Sequence, residues 1–395
     1  MPQITFGNDQ MNAIRMAGEW ANSPLLFQKP VFVIGGYAGT GKSTVLSQIL
    51  YNMGIPMYKV AFATFTGKAA VVLRRKGMNA ITIHKLIYIT SSSKSGRPCF
   101  RLKRNLPPNV ELICIDELGM VPQEIMDDIV SFHIPILGLG DPGQLPPVFG
   151  NNAYMDNPDC FLTEVFRQSG DSSLLQIATD IRNGINPYEQ KYADDVKISD
   201  SVNFKGDIRS FDQILCSSNR NRRDINVKYR ELLGKQTPLP TAGEKVICQL
   251  NNFNEVYTYD ESIDVCLVNG LTGTLIDDAI EVSENVIFFR FKPDGMNMEI
   301  PVFSKRQTFM DNYVDWEIVK EKKKQPFQVE IYNGKMVNDF DYGYCITCHK
   351  SQGSEWDNVL VYDDCFYHDD QNYRRWLYTA VTRAKKQVTV VKVDT

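Results

Sequence analysis

The residues from Gly36 to Ser43 have the types and spacing that bind phosphate. They read G-x-x-x-x-G-K-S, after the apolar run 31–34 and before the helix-competent stretch 44–50. The glycines permit a tight loop whose backbone N–H groups converge on phosphate oxygens at a helix N-terminus. Lys42 can then reach the β- and γ-phosphates, and the Ser43 hydroxyl can ligate Mg²⁺. The pattern predicts a nucleoside triphosphate site rather than a glycine-rich structural turn. The predicted nucleotide-binding residues of this loop are Gly36, Gly39, Thr40, Gly41, Lys42, Ser43 and Thr44.

A second candidate is the pair of carboxylates Asp116 and Glu117, which end the apolar run 112–115. The end of a strand delivers side chains to the carboxyl edge of a parallel sheet, where nucleotides bind. We therefore expect Asp116, together with Ser43, to hold Mg²⁺, and Glu117 to orient or deprotonate the attacking water. The alternative is an ordinary loop that begins with two acidic residues.

A third candidate is Gln144, in the turn after the apolar run 135–139. Gly140 and Asp141 follow that run, and two prolines beyond the turn restrict its exit. A neutral amide at this edge can sense the γ-phosphate and couple it to movement. A plain Gly/Pro turn would explain the prolines but not the glutamine.

Strands must position these residues, and eight short apolar runs are continuous, as in buried parallel strands. The first four surround the phosphate loop, and the last four form a second set without such a loop. We predict two tandem α/β sheets, with a nucleotide site shared across an interface. The runs are 31–34, 59–64, 112–115, 135–139, 213–216, 344–348, 359–362 and 388–391.

Two segments differ from this texture. Residues 241–341 contain short alternating runs separated by Gly, Asn and Asp turns, which predicts a mostly β insertion. The charged run 320–324 within it is more typical of a solvated loop or helix end than of a binding patch. The polar stretch 90–98, flanked by apolar runs, predicts a β-hairpin.

The bulk composition sets limits on function. The 43 basic and 47 acidic residues give a net charge of −4, which argues against a non-specific nucleic-acid coat protein but allows binding in one local groove. Nine cysteines, mostly in apolar runs, predict buried thiols, including the C-x-x-C of Cys345 and Cys348. Because the sequence shows neither a long apolar run nor the regions of a signal peptide, we expect a cytoplasmic protein without membrane contact.

The three candidate segments also carry a family resemblance. GYAGTGKST (36–44), CIDE (114–117) and GDPGQLPPV (140–148) resemble motifs I, II and III of superfamily-1 helicases. Six further segments resemble the remaining motifs. They are FGNDQ (6–10) for the Q motif, TFTGKAA (64–70) for motif Ia, TIHKLI (82–87) for motif Ib, LTEVFRQ (162–168) for motif IV, TCHKSQGSEWDNV (347–359) for motif V and LYTAVTRAKK (377–386) for motif VI. The details of motifs Ib, V and VI resemble the 5′→3′, RecD-like subclass and, within it, the Dda-like phage DNA helicases.

This resemblance implies an α/β fold of two tandem RecA-like P-loop NTPase domains, whose parallel sheets are flanked by helices. The first domain would be 1–165, with a pin hairpin inserted at 88–102. The second domain would comprise 166–240 and 342–395. The insertion 241–341 would be an SH3-like β domain.

The resemblance also implies roles around the nucleotide. Gln10 would pair with adenine and so favour ATP, and Gly353 and Glu355 of motif V would contact the nucleotide. Arg167 and Arg383 would reach the γ-phosphate, since a planar, always-charged guanidinium entering a closed cleft stabilises transition-state charge. The alternative for both arginines is a surface or salt-bridging role.

A path for single-stranded DNA is implied as well, built from backbone contacts and stacking that ignore base sequence. For its two histidines the alternative is a satisfied, partly buried residue, and for Ser217 and Asn219 it is a helix N-cap. Phe100 would be the strand-separating wedge of the hairpin, with Tyr88 as the second candidate; either could instead pack the hairpin onto its domain. The implied DNA-contacting residues are Thr64, Phe65, Thr66, His84, Lys85, Phe100, Ser217, Asn219, Asn226, Thr347, His349, Lys350 and Ser351.

The function implied is that of an ATP- and Mg²⁺-dependent 5′→3′ DNA helicase. It would act as a monomer on single-stranded and fork DNA, in a bacterial host cytoplasm if phage-encoded. Single-strand-binding or replication proteins would be its partners, in replication or recombination. A translocase or an RNA or RNA–DNA helicase with little DNA unwinding, and an ATP-switched scaffold or loader, stay open as alternatives.

Overall fold

The computed structural model describes residues 5–393 except for 25, 93–97, 148–149, 151, 165–171, 200–207, 260–262, 323–329 and 366–368. The chain forms two compact units. Unit 1 comprises Met1–Phe65, Ala69–Ile89 and Arg101–Leu175, and unit 2 comprises Thr66–Lys68, Thr90–Phe100 and Gln176–Thr395.

The elements alternate between helix and strand at both ends of the chain, whereas strands dominate the middle. The helices are α1 Asn8–Ala21, α2 Lys42–Met53, α3 Gly67–Arg75, α4 Ile83–Ile87, α5 Gln123–Val130, α6 Ala153–Asp156, α7 Ser173–Arg182, α8 Asn219–Leu232, α9 Arg306–Met310, α10 Trp316–Lys322, α11 Cys348–Ser351 and α12 Asp370–Val381. The strands are β1 Val31–Gly36, β2 Val60–Thr64, β3 Ala80–Thr82, β4 Tyr88–Ser92, β5 Pro98–Leu102, β6 Leu112–Asp116, β7 Ile136–Gly140, β8 Cys160–Leu162, β9 Val196–Ser199, β10 Gln213–Cys216, β11 Lys245–Cys248, β12 Asn252–Tyr259, β13 Ile263–Leu267, β14 Thr272–Leu275, β15 Ile280–Glu281, β16 Val286–Pro293, β17 Ile300–Lys305, β18 Ile331–Tyr332, β19 Lys335–Met336, β20 Phe340–Tyr342, β21 Cys345–Thr347, β22 Trp356–Asp363 and β23 Ala384–Lys392. Short 3₁₀ turns lie at Met57–Lys59, Leu118–Met120, Pro187–Glu189, Ile208–Ser210 and Asp311–Tyr313.

Unit 1 is built on a parallel sheet of six strands in the order β3-β2-β6-β7-β1-β8. Both faces of the sheet are buried. Phe62 and Ile34 pack with helix α2 in one apolar cluster, and Val33 and Ile113 pack with helix α5 in another. Burial on both faces explains why these strands are continuous apolar runs rather than alternating ones.

Unit 2 contains a parallel sheet of five strands in the order β21-β10-β22-β23-β9. Between β10 and β21 the chain builds an antiparallel sheet in the order β15-β16-β14-β11-β20, with β17 paired to β16. A buried ion pair ties helix α8 to the start of this antiparallel region, because the Arg230 Nε lies 2.7 Å from the Glu244 Oε1.

These sheets confirm the predicted tandem α/β architecture. Each of the eight predicted runs overlaps a parallel strand, whereas the short strands β3, β8 and β9 were not predicted. Strands β4 and β5 pair in a two-stranded sheet where the sequence predicts a hairpin. The last division between the two units lies after Leu175, within helix α7. The predicted domain bounds stay a prediction. In the described part of the chain, no helix is long and apolar enough to cross a membrane.

Candidate nucleotide site and nucleic-acid-binding residues

The predicted phosphate loop connects strand β1 to helix α2. Gly39 and Gly41 adopt left-handed backbone conformations, with φ of 81° and 78°, which favour glycine. A Cβ added to Gly36 would lie 2.8 Å from the Thr40 Oγ1, so this position also requires glycine. Gly41 caps the helix, which begins at Lys42. The loop therefore ends at a helix N-terminus, with Ser43 and Thr44 in the first helical turn.

The loop is held by bonds within itself. The Thr40 hydroxyl donates to the Tyr37 carbonyl at 2.8 Å. The Lys42 ammonium donates to the carbonyls of Gly36 and Tyr37, at 2.7 and 3.0 Å. Lys42 is thus folded over the loop with carbonyl oxygens as acceptors, and phosphate oxygens are stronger acceptors for the same ammonium.

Gln10 lies on the same loop. Its side chain is buried, its Oε1 accepts from the Gly7 N–H at 3.2 Å, and its Nε2 donates to the Thr40 carbonyl at 2.9 Å. This amide joins the first turn of helix α1 to the phosphate loop. The adenine contact implied for Gln10 stays a prediction.

The two carboxylates end strand β6, which is separated from β1 by β7 alone. The register pairs Ile115 with Gly138 and Leu139 with Ile34, so Asp116 lies at the same edge as the phosphate loop. Burial raises the pKa of Asp116, and the charge of Lys42 opposes that shift. The carboxylate and the ammonium are therefore electrostatically linked.

Glu117 has a backbone conformation that is rare for its residue type. Its φ is 54°, in the left-handed region, and its N–H donates to the Asp116 Oδ1 at 3.0 Å. A non-glycine residue held at positive φ costs free energy that the surrounding structure must compensate. Backbone strain at this position is consistent with a role for Glu117 that depends on the orientation of its carboxylate.

Gln144 follows strand β7 at the neighbouring position of this edge. Asp141 organises the turn, because its Oδ1 accepts from the Gly143 N–H at 2.9 Å and its Oδ2 lies 3.4 Å from the Gln144 Nε2. The Gln144 Oε1 is buried and has no hydrogen-bond partner among the described residues. The Gln144 Oε1 can therefore accept a hydrogen bond from a donor such as a water molecule.

The donor set is suited to Mg²⁺ bound together with a nucleotide. Among the residues that the structure describes, no three His, Cys, Asp or Glu side chains are grouped so as to hold a metal by themselves. Mg²⁺ at phosphate sites uses one or two protein oxygens and substrate oxygens, and it keeps several waters. A hydroxyl at Ser43 and a carboxylate at Asp116 meet that requirement.

Arg383, in unit 2, is 4% exposed at the amino end of strand β23. Its guanidinium donates to the Thr379 carbonyl at 3.0 Å, to the Ser354 carbonyl at 3.3 Å and to the Thr382 hydroxyl at 3.1 Å. All three acceptors are neutral. A buried cation that is solvated by neutral acceptors is a ready partner for an anion.

The motif V residues assigned to the nucleotide flank Arg383. The Trp356 N–H donates to the Arg383 carbonyl at 2.9 Å, which places Gly353 and Glu355 directly before the paired starts of strands β22 and β23. Gly353 has a φ of 72°, and Glu355 is exposed. Arg167, the other predicted arginine, lies outside the described residues.

At the opposite, carboxyl edge of the same sheet, Asp364 organises the segment that contains Ser217. Its two oxygens accept from the N–H groups of Ser217 and Ser218 at 2.6 and 3.1 Å, and from the Asn221 side chain at 2.8 Å. Ser218 is the N-cap of helix α8, so the capping alternative belongs to Ser218 rather than to Ser217 or Asn219. Asn219 is the exposed first residue of that helix.

The motif V segment predicted to contact DNA begins at this carboxyl edge. Thr347 ends strand β21, and His349 and Lys350 follow in helix α11, both partly exposed. Burial lowers the pKa of His349, so its imidazole is neutral at pH 7. Burial lowers the pKa of Lys350 to about 8, and its ammonium donates to the Gln249 side chain.

Asn226 corrects one prediction. Its side chain is fully buried, where its Nδ2 donates to the carbonyls of Tyr342 and Cys345 at 3.3 and 3.0 Å and its Oδ1 accepts from the Cys345 N–H at 2.8 Å. The amide holds helix α8 to strand β21 and presents no surface to DNA. Ser351 is likewise fully buried, with its hydroxyl donating to the Cys348 carbonyl, and the Thr64 side chain is buried at the end of β2.

In unit 1, the rings of Phe65 and His84 lie 5.8 Å apart, and those of His84 and Tyr88 lie 5.6 Å apart. Burial lowers the pKa of His84, so this ring is neutral too. The Tyr88 hydroxyl donates to Asp128, which favours the packing role for Tyr88. Lys85 is exposed. Of the residues grouped with unit 2, Thr66 is partly exposed and Phe100 is 44% exposed.

Two family models match the chain. An AAA domain matches residues 20–202, and a UvrD-like helicase C-terminal domain matches residues 342–391. The first covers the unit 1 sheet with its phosphate loop. The second covers strands β21 and β22, nearly all of β23, and Arg383.

Curated relatives match most of the chain at low identity. The ATP-dependent RecD2 DNA helicase of Deinococcus radiodurans is 24% identical, over 89% of this chain and 46% of that protein. The ATP-dependent DNA helicase Pif1 of Campylobacter jejuni is 23% identical, over 91% of this chain and 88% of that protein. The chain spans only 37% to 66% of the length of the first relatives it matches.

The fold is similar to that of solved structures. Bacteroides Pif1 bound to ssDNA aligns over 100% of this chain and 93% of that chain, with a TM-score of 0.56 and 18% identity. This likeness supports the assignment of tandem RecA-like domains. In sequence, the chain is therefore similar to helicase domains and to proteins named RecD and Pif1.

Proposed function

We propose that this protein is an ATP-dependent DNA helicase that moves 5′→3′ on single-stranded DNA. The observation that carries the proposal is one edge of the unit 1 sheet. There the phosphate loop, the Asp116–Glu117 pair and Gln144 follow three neighbouring strands, β1, β6 and β7. This arrangement can bind a triphosphate and position a water molecule to attack its γ-phosphate.

The chain's own residues divide that chemistry. The amides at the start of helix α2 and the Lys42 ammonium bind the phosphates. Mg²⁺, bound by Ser43 and Asp116, would neutralise charge on the transferring group. Glu117 orients and deprotonates the attacking water, and the Gln144 Oε1 accepts a hydrogen bond from it. Gln10 contacts adenine, which makes ATP the substrate.

Two arginines would supply positive charge in the transition state. Arg383 is suited to this role because its guanidinium is buried against neutral acceptors, with its charge not cancelled by a carboxylate at the contacts it makes. Arg167 is the second, on its motif alone. An arginine of this kind contributes rate rather than ground-state affinity.

Single-stranded and fork DNA are the proposed polymer substrates. Relatives carry the names DNA helicase RecD2 and Pif1, and related Pif1 structures are described as bound to ssDNA or as unwinding forked dsDNA. In this chain, neutral histidines at 84 and 349 suit contacts that ignore sequence. Phe100 is the proposed wedge, since a large aromatic ring that is 44% exposed can stack on a terminal base pair.

Finer assignments belong to the same proposal. We assign the protein to the Dda-like phage group, as a monomer in a bacterial host cytoplasm, with single-strand-binding or replication proteins as partners. The rival is a translocase that hydrolyses ATP on single strands and barely unwinds duplexes. It would use the same nucleotide site.

Strand separation tests the proposal. The protein, ATP and Mg²⁺ are mixed with two labelled duplexes of equal sequence, one with a 5′ single-stranded tail and one with a 3′ tail. Opening of the 5′-tailed duplex alone is the expected result. Opening of the 3′-tailed duplex alone would overturn the polarity. ATP hydrolysis stimulated by single strands, without opening of either duplex, would favour the translocase.

A further inference from the structure

Arg383 is held at its backbone as well as at its guanidinium. It directly follows Thr382, the C-cap of helix α12, and its N–H donates to the Ala380 carbonyl at 3.2 Å. Its carbonyl accepts from the Trp356 N–H at 2.9 Å, where the amino ends of strands β22 and β23 pair. Residues 376–381 of the helix are buried. The backbone from which the arginine side chain extends is therefore fixed within unit 2.

The guanidinium of Arg383 is anchored at each of its three nitrogens. The Nε donates to the Thr379 carbonyl at 3.0 Å, the Nη1 to the Ser354 carbonyl at 3.3 Å and the Nη2 to the Thr382 hydroxyl at 3.1 Å. Because each Nη carries two N–H groups, these bonds leave one N–H on each Nη without a partner among the described residues. A guanidinium held in this way can still donate to two oxygens of one phosphate.

Thr382 provides the one anchor of these three that is a side chain, since the other two are main-chain carbonyls. The residue is buried, and its hydroxyl donates to the Thr379 carbonyl at 3.0 Å. With its proton directed to that carbonyl, the hydroxyl oxygen presents its lone pairs to the guanidinium. A single substitution at Thr382 can therefore remove one anchor and leave the other two in place.

We infer that Thr382 is a positioning residue for ATP hydrolysis, whose hydroxyl orients the Arg383 guanidinium for the transferring phosphate. This inference rests on the proposed function, in which Arg383 stabilises transition-state charge. A misplacement of about 1 Å in such a group costs on the order of 10²-fold in rate. Because two anchors would remain, we expect a smaller loss when the hydroxyl is removed.

Positioning through Arg383 predicts a particular kinetic signature. Thr382→Val replaces the hydroxyl by a methyl group, and it should lower kcat for DNA-stimulated ATP hydrolysis about tenfold and change the KM for ATP less than about twofold. The reason is that a transition-state contact is weakened while ground-state binding is kept. Thr382→Ser, which keeps the hydroxyl, should retain about half or more of the wild-type kcat.

The matched control is Thr389→Val on strand β23, the strand that Arg383 precedes. Thr389 is partly exposed, and its hydroxyl makes no hydrogen bond within the part of the chain that the structure describes, so its kcat should stay at the wild-type value. Thermal unfolding of each variant shows whether the fold is retained. If Thr382→Val unfolds, Thr382→Ala takes its place, because it removes the hydroxyl without adding a buried methyl group.

A double-mutant cycle separates positioning from general destabilisation. If Thr382 acts through Arg383, Thr382→Val should lower kcat by less than about twofold in the Arg383→Ala background. Additive losses, a wild-type kcat for Thr382→Val, a rise in KM as large as the fall in kcat, or equal losses in Thr382→Ser and Thr382→Val would each overturn the inference. A wild-type kcat for Arg383→Ala would instead overturn the role proposed for that arginine. Absence of DNA-stimulated ATPase in the wild-type protein would overturn the proposed function.

Discussion

The two parallel sheets treat the start of a helix in opposite ways. In unit 1, the connection from β1 to α2 is a glycine loop, and the nearby carboxylate of Asp116 bonds the Glu117 N–H instead of the loop. In unit 2, the connection from β10 to α8 has two serines, and Asp364 accepts from both of their N–H groups. The start of helix α2 is suited to a bound anion such as a phosphate, whereas the start of helix α8 already holds the carboxylate of Asp364, an internal anion.

This difference explains how one architecture can serve two purposes. A phosphate needs amides that converge and no fixed negative charge in their way. A carboxylate built into the same place rigidifies the connection and removes the anion site. We therefore expect nucleotide binding to belong to unit 1, because Asp364 already occupies the corresponding helix start in unit 2.

Removing the loop lysine should have the largest effect. Lys42→Ala takes away the ammonium that binds the β- and γ-phosphates, so DNA-stimulated ATP hydrolysis should fall by about 10³-fold or more, with weaker ATP binding. Steady-state ATPase and binding of a fluorescent ATP analogue measure the two effects. Lys59→Ala, at the amino end of β2, is the control and should hydrolyse ATP normally. Turnover near the wild-type rate in Lys42→Ala would contradict the assignment of nucleotide binding to the phosphate loop of unit 1.

Arg383 tests the contribution of the second unit. Arg383→Ala should lower kcat by roughly 10²- to 10³-fold and leave the affinity for ATP nearly unchanged, since the guanidinium acts on transition-state charge. The same two assays apply, and Arg374→Ala, at a partly exposed position of helix α12, serves as control. Loss of ATP affinity equal to that of Lys42→Ala would mean that unit 2 also shares in ground-state binding.

Asp364 tests the internal anion directly. Asp364→Ala leaves the N–H groups of Ser217 and Ser218 without their acceptor and should cost about 2–4 kcal/mol of unfolding free energy. Urea denaturation, followed by circular dichroism, measures the change. The control is Asp357→Ala, near the amino end of strand β22, where Asp357 forms an exposed ion pair with Lys386. It should change the free energy of unfolding by less than about 0.5 kcal/mol.

Tighter nucleotide binding by a Lys42→Ala, Asp364→Ala double variant than by Lys42→Ala alone would show that helix α8 can act as a second anion site. We expect none.

Most features of the unit 1 site could be predicted from short stretches of sequence. The glycines around Lys42 and the carboxylates after β6 are signals within a few residues, and they predicted both the loop and the sheet edge. The internal anion was not predicted, because Asp364 and Ser217 are 147 positions apart in the sequence. Asn226 was misjudged for the same reason. Its partner Cys345 is 119 positions away, and an asparagine at helical spacing shows nothing of its burial.

The smallest effect expected is a pH dependence at Lys350. Burial lowers the pKa of its ammonium to about 8, far below the ordinary lysine value of 10.5. At pH 7 the charged form therefore exceeds the neutral form about tenfold, and at pH 9 the ratio is reversed. If Lys350 contacts a DNA phosphate, affinity for single-stranded DNA should fall about fivefold between pH 7 and pH 9, which corresponds to about 1 kcal/mol.

Fluorescence anisotropy at constant salt measures this dependence, because salt alone changes DNA affinity strongly. Lys350→Arg keeps its charge at both pH values and should bind equally well at each. Lys350→Met should bind weakly at both. A wild-type slope that persists in Lys350→Arg would move the titrating group elsewhere, since neutral His84 and His349 do not change charge in this range. A flat wild-type profile would mean that this ammonium makes no contact with DNA.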